Sequence, residues 1–253
     1  LKIMQALIYN LYNKFFMNQI ENEILKYLNK ENKIIFDVGC FRGNFTTNII
    51  KHENEKSKNT TFFLFDPNPN VKNYLNEILK NKNVKYFCLA FDNTDSKKKF
   101  YLNKFFEPSG SSLETILKGD RKWINTRKCF FQLFHPFKKL KEFEEIMVKT
   151  KSIDVFCREN HINHIDLLKL DTEGNEFNVL NGAKTILSEN KINAIYTEII
   201  ETKENYNKKN DLFVNYLNKY GFKLKVSLPI RSFSFMSNLK GTDNLFINEN
   251  FKN

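Results

Sequence analysis

The fold is decided by Lys33-Ile34-Ile35-Phe36-Asp37-Val38-Gly39-Cys40-Phe41-Arg42-Gly43-Asn44. A short apolar run of this kind predicts a strand buried on both faces. It breaks at a loop bounded by two glycines and passes into a helix expected from about Asn44 to His52. The same alternation recurs downstream. Thr61 to Phe65 reads as a second buried strand, stopped by Asp66-Pro67-Asn68-Pro69, because proline cannot donate to a ladder. Val71, Tyr74, Leu75, Ile78 and Leu79 have helical spacing, and Val84 to Leu89 reads as a third strand. Ile165 to Leu170 is a strand that enters Asp171-Thr172-Glu173-Gly174, followed by a helix with Phe177, Val179, Leu180, Ile186 and Leu187 on its apolar side. Ala194 to Ile199 is a strand, Leu212 to Tyr220 a helix ended by Gly221, and Phe222 to Leu228 and Asn244 to Ile247 are the last strands. Strand and helix alternating along one chain predict an α/β fold with a mostly parallel sheet and helices on both faces.

Outside this core, Ile3, Leu7, Leu11 and Phe15 repeat every four residues beside Met4, Ile8, Tyr12 and Phe16, a pattern continued by Ile20, Ile24 and Leu28. This marks residues 1–30 as a helical segment. Its polar face carries Asn and Gln rather than Lys and Arg, so packing onto the domain is favoured over a membrane surface. Residues 92–151 are less regular, with turn chemistry at Asp92 to Lys98 and at Pro108-Ser109-Gly110. With no Gly/Ser-rich linker and no internal repeat, residues 31–253 form one domain with an insertion at about 103–150.

The composition of the 253 residues sets the limits. A chain that is 41% hydrophobic and 15% aromatic, with 8 Gly and 5 Pro, is neither disordered nor low-complexity. No stretch approaches the roughly 20 apolar residues of a membrane span. Cys40, Cys88, Cys129 and Cys157 form no C-x-x-C pair, which removes a zinc ribbon and a thioredoxin-type site. Reduced thiols and a cytoplasmic location are expected. The formal charge of +11 comes mostly from Lys spread through the chain, so it reads as composition before it reads as a nucleic-acid footprint.

Chemistry-bearing residues gather where strands end: Asp37, Gly39 and Gly43 around the first loop, Asp66 after the second strand, Asp171 and Glu173 after the fourth, and Glu198 near the end of the fifth. In a doubly wound sheet that carboxyl edge is where ligands sit. The first loop lacks G-x-G-x-x-G, and Phe41 fills its middle, so a pyrophosphate would be crowded. No Walker motif is present either. Asp66 is placed to accept from both hydroxyls of a ribose, while Gly39 and Asp37 suit a small zwitterion. A ribose joined to an amino acid without phosphate describes S-adenosylmethionine. The plainer reading remains open, with Asp66 capping a turn and the glycines serving tight packing.

Three segments carry a resemblance. They are Asp37-Val38-Gly39-Cys40-Phe41-Arg42-Gly43-Asn44, Phe65-Asp66-Pro67-Asn68-Pro69, and Leu168-Lys169-Leu170-Asp171-Thr172-Glu173-Gly174-Asn175-Glu176 with Val179-Leu180-Asn181-Gly182-Ala183. Together they resemble the FkbM family of S-adenosylmethionine-dependent methyltransferases over residues 33 to 200, and Gly241 to Phe246 suits the family's last strand. The resemblance implies a class I, Rossmann-like methyltransferase sheet of seven strands, mostly parallel with the last antiparallel, and methyl transfer usually to a hydroxyl oxygen. The cofactor set it implies is Asp37, Gly39, Cys40, Arg42, Gly43, Asn44, Asp66, Pro67, Ala90, Phe91 and Asp171. Two departures are visible: Asp66 stands where the family has the longer Glu, and Leu89 precedes Ala90 where many class I enzymes place an acid for the adenine amine. Backbone, Phe91 and Asp92 are the substitutes for that acid.

A neutral hydroxyl acceptor must lose its proton, which calls for a general base. Asp171, Glu173 and Glu198 are the candidates, with His135 in the insertion as the other. Three carboxylates can also hold Mg²⁺, but no further ligand motif accompanies them and no metal is expected. His161 and His164 read as surface or loop histidines. In the segment from Phe105 to Lys149, Ser109, Ser111, Ser112, Trp123, Phe130, Phe131, Phe134 and Phe137 interleave with Arg121, Lys122, Arg127, Lys128 and Lys138. This suits a sugar, glycan, glycolipid or other small-molecule acceptor, and the basic groups could hold an anionic one. It is also the pattern of a satellite core or, less readily, of single-stranded RNA. The rival functions are an RNA methyltransferase and a non-catalytic cofactor-binding relative.

Overall fold

The computed structural model describes residues 20–28, 31–52, 59–104, 111–114, 120, 124–125, 128–129, 132, 142–230 and 238–251. Its strands are β1 (Ile34–Val38), β2 (Thr61–Phe65), β3 (Val84–Phe87), β4 (Ala90–Phe91), β5 (Ser96–Asn103), β6 (Phe143–Lys151), β7 (Ile165–Leu170), β8 (Ile192–Thr202), β9 (Phe222–Pro229) and β10 (Leu239–Asn248). Its helices are α1 (residues 20–27), α2 (Asn44–His52), α3 (Ile153–Glu159), α4 (Glu176–Asn181), α5 (Lys184–Ser188) and α6 (Tyr206–Asn218). Seven strands form one sheet in the order β3-β2-β1-β7-β8-β10-β9. β1 pairs in parallel with both β2 and β7, and β10 runs antiparallel between β8 and β9. The chain winds outward from β1 through β2 to β3, then returns to the other side of β1 as β7. The carboxyl ends of β1 and β7 therefore flank the topological switch point, where a crevice opens.

The period-2 alternation of the central strands sorts the core into two layers. Phe36, Val38, Phe63, Phe65, Leu168 and Phe246 face one layer with α3 to α6, whereas Ile35, Leu64, Leu167, Tyr196 and Leu245 face the other with α1 and α2. In the first layer Phe156 of α3 stands edge-on to Phe36, Phe63, Phe65, Phe87 and Phe91 at centroid distances between 5.0 and 6.2 Å. Edge-to-face pairs contribute about 0.5–1.5 kcal/mol each beyond the area they bury. On the other side Ile20, Ile24 and Leu28 are buried against Ile35 and Ile49. The expected earlier turns of this helical segment, Ile3 to Phe16, lie outside the described residues.

Several expectations are corrected. The helix foreseen over Val71 to Leu79 is two short 3-10 turns, Val71–Tyr74 and Ile78–Lys80, although Val71 and Leu75 are still fully buried. The helix after Gly174 breaks at Gly182 into α4 and α5. A Cβ at Gly182 would lie 2.2 Å from the Asp92 carbonyl oxygen. Residues 92–151 are not irregular throughout. β5 and β6 pair antiparallel from Ser96↔Thr150 to Asn103↔Phe143 and join β4 in a three-stranded sheet. Their charged, half-exposed faces hid them, since Lys97, Lys98 and Lys99 alternate with little that is apolar. α3 was not foreseen either, although Ser152 caps it by accepting from the Val155 amide at 3.3 Å. All four cysteines are free thiols.

Gly182→Ala should therefore destabilise the protein by about 1–3 kcal/mol, the usual cost of forcing atoms into a packed contact. A urea-unfolding midpoint equal to that of the parent would show that Gly182 and Asp92 are not in contact.

Candidate active site

The crevice is built from three strand ends tied to one another. The Gly39 and Cys40 amides both donate to the Phe65 carbonyl, at 2.9 and 3.1 Å, and the Asp171 amide donates to the Val38 carbonyl at 3.0 Å. Gly39 sits at φ +76°, and a Cβ there would lie 1.8 Å from the Asp171 carbonyl oxygen. Glycine is thus required twice over, by its left-handed backbone and by the approach of β7. Phe41, bulky and non-glycine, has φ 42°. Its amide is held by the Asp66 Oδ2 at 3.1 Å, while Asp66 Oδ1 accepts from the Asn68 amide at 2.9 Å. Burial pushes the Asp66 carboxyl up to about 6, with the two amides pulling the other way. Asp66 thus steadies a strained loop as well as lining the crevice.

Beneath the loop lies a residue that the sequence reading did not single out. Lys169 occupies β7, every residue of which is buried. Its Nζ donates to Asp37 Oδ1 at 2.9 Å and to the Gly39 carbonyl at 3.2 Å, and it lies 3.3 Å from Asp171 Oδ2. Asp37 Oδ2 accepts from the Thr46 hydroxyl at 2.7 Å. Burial alone would lower the Lys169 pKa, but Asp37 and Asp171 outweigh it and leave the ammonium held charged. Composition carried the signal, because a lysine in a strand of Ile, Leu and Asp has to be paired if it is buried.

The Asp171-Thr172-Glu173-Gly174 turn runs with positive φ at Glu173 (56°) and Gly174 (110°). Glu176, fully buried at the start of α4, fixes it: its carboxylate accepts from the Thr172 amide (2.8 Å), the Thr172 hydroxyl (2.9 Å) and the Gly174 amide (3.1 Å). The turn brings Asp171 and Glu173 to Glu198, one carboxylate oxygen of each lying within 4.8 Å of the others. Asp171 is already committed to Lys169, so a cation would compete with the ammonium for it, and no metal is assigned. Burial together with Asp171, Glu173, Asp243 and Glu176 drives the Glu198 pKa well above the ordinary carboxylate range.

The crevice encloses about 800 Å³ of space, including the part open to solvent. Of the residues expected to hold a cofactor, Gly39, Asp66, Pro67, Ala90, Phe91 and Asp171 line it, and so does Glu173. Asp37, Cys40, Arg42, Gly43 and Asn44 do not. Asp37 reaches the crevice through Lys169, and Cys40 is packed in the core with its thiol pKa raised by burial. The Arg42 guanidinium stacks over the rings of Phe41 (5.5 Å) and Tyr74 (5.1 Å). Asp92, expected as a substitute for the missing acid, does not line the crevice; it is paired with Lys98 at 2.5 Å and accepts from the Asn93 amide. Val38, Phe41, Phe65, Leu89, Phe100, Ser111, Leu113, Thr172 and Asn175 complete the walls. Phe100, Ser111 and Leu113 had been placed on the acceptor side or left unassigned, yet they share the crevice with Gly39 and Asp66. His135, Trp123 and most of the aromatic and basic residues between Phe105 and Lys138 lie outside the described residues.

A parallel sheet ordered β3-β2-β1-β7-β8 and closed by an antiparallel strand inserted before the edge strand is the class I methyltransferase fold. The chain belongs to the FkbM methyltransferase family, whose domain model ("Methyltransferase FkbM domain") matches residues 37–224. A curated relative, the 2-O-methyltransferase NoeI of Sinorhizobium fredii, is 23% identical over 187 residues, covering 71% of this chain and 68% of its own. Among solved structures, the FkbM methyltransferase of Methylobacillus flagellatus superposes with a TM-score of 0.48 at 13% identity, over 86% of this chain and 43% of that one. The N-methyltransferase NodS of Bradyrhizobium japonicum does so with a TM-score of 0.44 at 8% identity, over 92% and 96%. No described helix is long and apolar enough to cross a membrane.

Lys169→Met should cost about 3–5 kcal/mol, because it strands the Asp37 carboxylate in the core. Lys169→Met combined with Asp37→Asn should recover most of that loss. Denaturant unfolding of the single and double variants checks this, and additive losses would contradict it.

Proposed function

We propose that the protein is an S-adenosylmethionine-dependent O-methyltransferase acting on a sugar, glycan or other small hydroxylated acceptor. The observation that carries this reading is the meeting of Gly39, Asp66 and Asp171 in one crevice, with the acids Glu173 and Glu198 at its edge. The residues fit the cofactor. Phe65, Pro67, Leu89, Phe91 and Leu113 offer an apolar slot for a purine, and Asp66 lies where ribose hydroxyls would be accepted. The Gly39 carbonyl and Asp171, both fixed by Lys169, suit the amino-acid end. When bound, the cofactor would supply an electrophilic methyl on a sulfonium sulfur, with the neutral thioether as the leaving group that keeps the electron pair.

Alignment by the crevice walls supplies much of the rate in such an in-line transfer. The chain's remaining task is to take the acceptor's proton. Asp171 is paired with Lys169, whereas among the described residues no hydrogen-bond donor engages the Glu198 carboxylate. Glu198 is therefore the general base of choice, and a raised pKa makes it the stronger base once ionised. The curated relative named as a 2-O-methyltransferase supports oxygen as the target. In the second sheet, Lys98, Lys99 and Lys104 are paired with Asp92, Glu145 and Glu144.

Asp66→Ala should weaken S-adenosylhomocysteine binding by roughly 10- to 100-fold, the equivalent of about one charge-assisted hydrogen bond. Because the Asp66 carboxyl is raised to about 6, wild-type affinity should fall as the pH drops from 7 to 5, and Asp66→Asn should be less sensitive. Calorimetric titration at pH 5, 6 and 7 reads both effects, and pH-independent wild-type affinity would remove Asp66 from the ribose role.

Glu198→Gln should slow methyl transfer by about 10²–10⁴-fold with cofactor affinity preserved. The assay is transfer of radiolabelled methyl into cell extracts separated into glycan, lipid and nucleic-acid pools. Label in the RNA pool alone would overturn the acceptor class.

A further inference from the structure

The acids beside the crevice continue sideways across the sheet onto β10. Asp243 of β10 is the direct cross-strand partner of Glu198 on β8. In this antiparallel register the two side chains stand on one face, with Cβ atoms about 4.5–5.5 Å apart. Two residues back along β8, on the same face, buried Tyr196 donates its hydroxyl to Asp243 Oδ1 at 3.1 Å. Tyr196 is in turn opposite Lys169 on β7, which is opposite Asp37 on β1. One row of the sheet thus reads Asp37, Lys169, Tyr196, and the next row toward the crevice holds Asp171, Glu198, Asp243. The carboxylates at the two ends of the second row are held, Asp171 by the Lys169 ammonium and Asp243 by the Tyr196 hydroxyl. Glu198 stands between them.

We propose that Asp243, fixed by the Tyr196 hydroxyl, is a positioning residue that keeps Glu198 basic for proton removal from the acceptor. This rests on the general-base reading above. The physics is that of neighbouring carboxylates, where ionisation of one opposes ionisation of the next and makes it the better proton acceptor. In the reaction the acceptor O–H bond breaks, its electron pair forms the bond to the methyl carbon, and the proton goes to a Glu198 carboxylate oxygen before passing to solvent. Asp243 takes no part in bond making.

The charges facing Glu198 are Asp171, Glu173 and Glu176 from the β7 side and Asp243 from β10. Burial and Asp171 push Asp243 itself up to about 7, against the Tyr196 hydrogen bond and Lys169. Two signs follow. Asp243→Asn removes a negative neighbour, so Glu198 should ionise at lower pH. Tyr196→Phe removes the donor that favours ionised Asp243, so Asp243 should hold its proton to higher pH and Glu198 should again ionise at lower pH.

The test is side-chain carboxyl NMR of the full chain labelled with ¹³C at the Glu Cδ, with the Glu198 signal assigned by its loss in Glu198→Gln. In Asp243→Asn that signal should titrate about one pH unit or more below the wild-type value, with a smaller shift in the same direction for Tyr196→Phe. A side chain that only packed the strand would leave the titration in place, so an unchanged Glu198 midpoint in both variants overturns the proposal. Neither acceptor nor turnover is needed. Calorimetry of the wild type with S-adenosylhomocysteine, run beside it, reports separately on the functional reading: absence of binding would overturn that reading without altering the titration result.

Discussion

The buried Lys169 ammonium is the constraint on which the rest depends. It lies where β1 and β7 run side by side, touching the carboxylate of Asp37, the carbonyl of Gly39 and the carboxylate of Asp171. A buried lysine is tolerable only when paired, and a buried aspartate likewise. Each therefore holds the other in the core, and together they fix the two strand ends that bound the crevice. The same ammonium settles how the acids divide. Those it reaches are paired with it, whereas Glu198 and Asp243, further along the sheet, are pushed toward their protonated forms by burial and by Asp171.

Strain is stored beside it. Phe41 and Glu173 both adopt left-handed backbone without being glycine, one on each side of the crevice. Each is secured by a carboxylate that accepts backbone amides: Asp66 for the Phe41 loop, Glu176 for the turn around Glu173. Residues in such conformations persist when their surroundings over-determine them, and they concentrate at functional sites. Under the proposed function Asp66 would serve two ends, since an oxygen that holds the Phe41 amide has a second lone pair to offer a ligand hydroxyl.

Much of this was legible in the sequence, for identifiable reasons. The buried strands declared themselves as apolar runs, and Gly39, Asp66 and Asp171 fell at strand ends because the βα alternation puts loops there. Boundaries were less legible. β8 and β10 extend well past their apolar centres through Glu201-Thr202 and Leu239 to Asp243, where polar residues pair as readily as apolar ones. β5 and β6 escaped notice because half-exposed strands rich in lysine and glutamate lack the contrast that periodicity needs. Charged residues whose partners are remote in sequence were also hidden. Lys169 meets Asp37 across 132 positions and Asp243 meets Tyr196 across 47, and neither spacing has a sequence signature. Cys40, Arg42 and Asn44 show the converse, since proximity in sequence to the glycine bend did not bring their side chains into the crevice.

The central claim is that the crevice bounded by Gly39, Asp66 and Asp171 is the seat of the methyl donor. A crystal structure of the protein with S-adenosylhomocysteine tests it most directly. The account predicts the ribose hydroxyls within hydrogen-bond distance of the Asp66 carboxylate, the amino-acid end against the Gly39 carbonyl and Asp171, and the sulfur facing Glu198. A ligand seated elsewhere, with Asp66 bonded to the Phe41 and Asn68 amides alone, would contradict it.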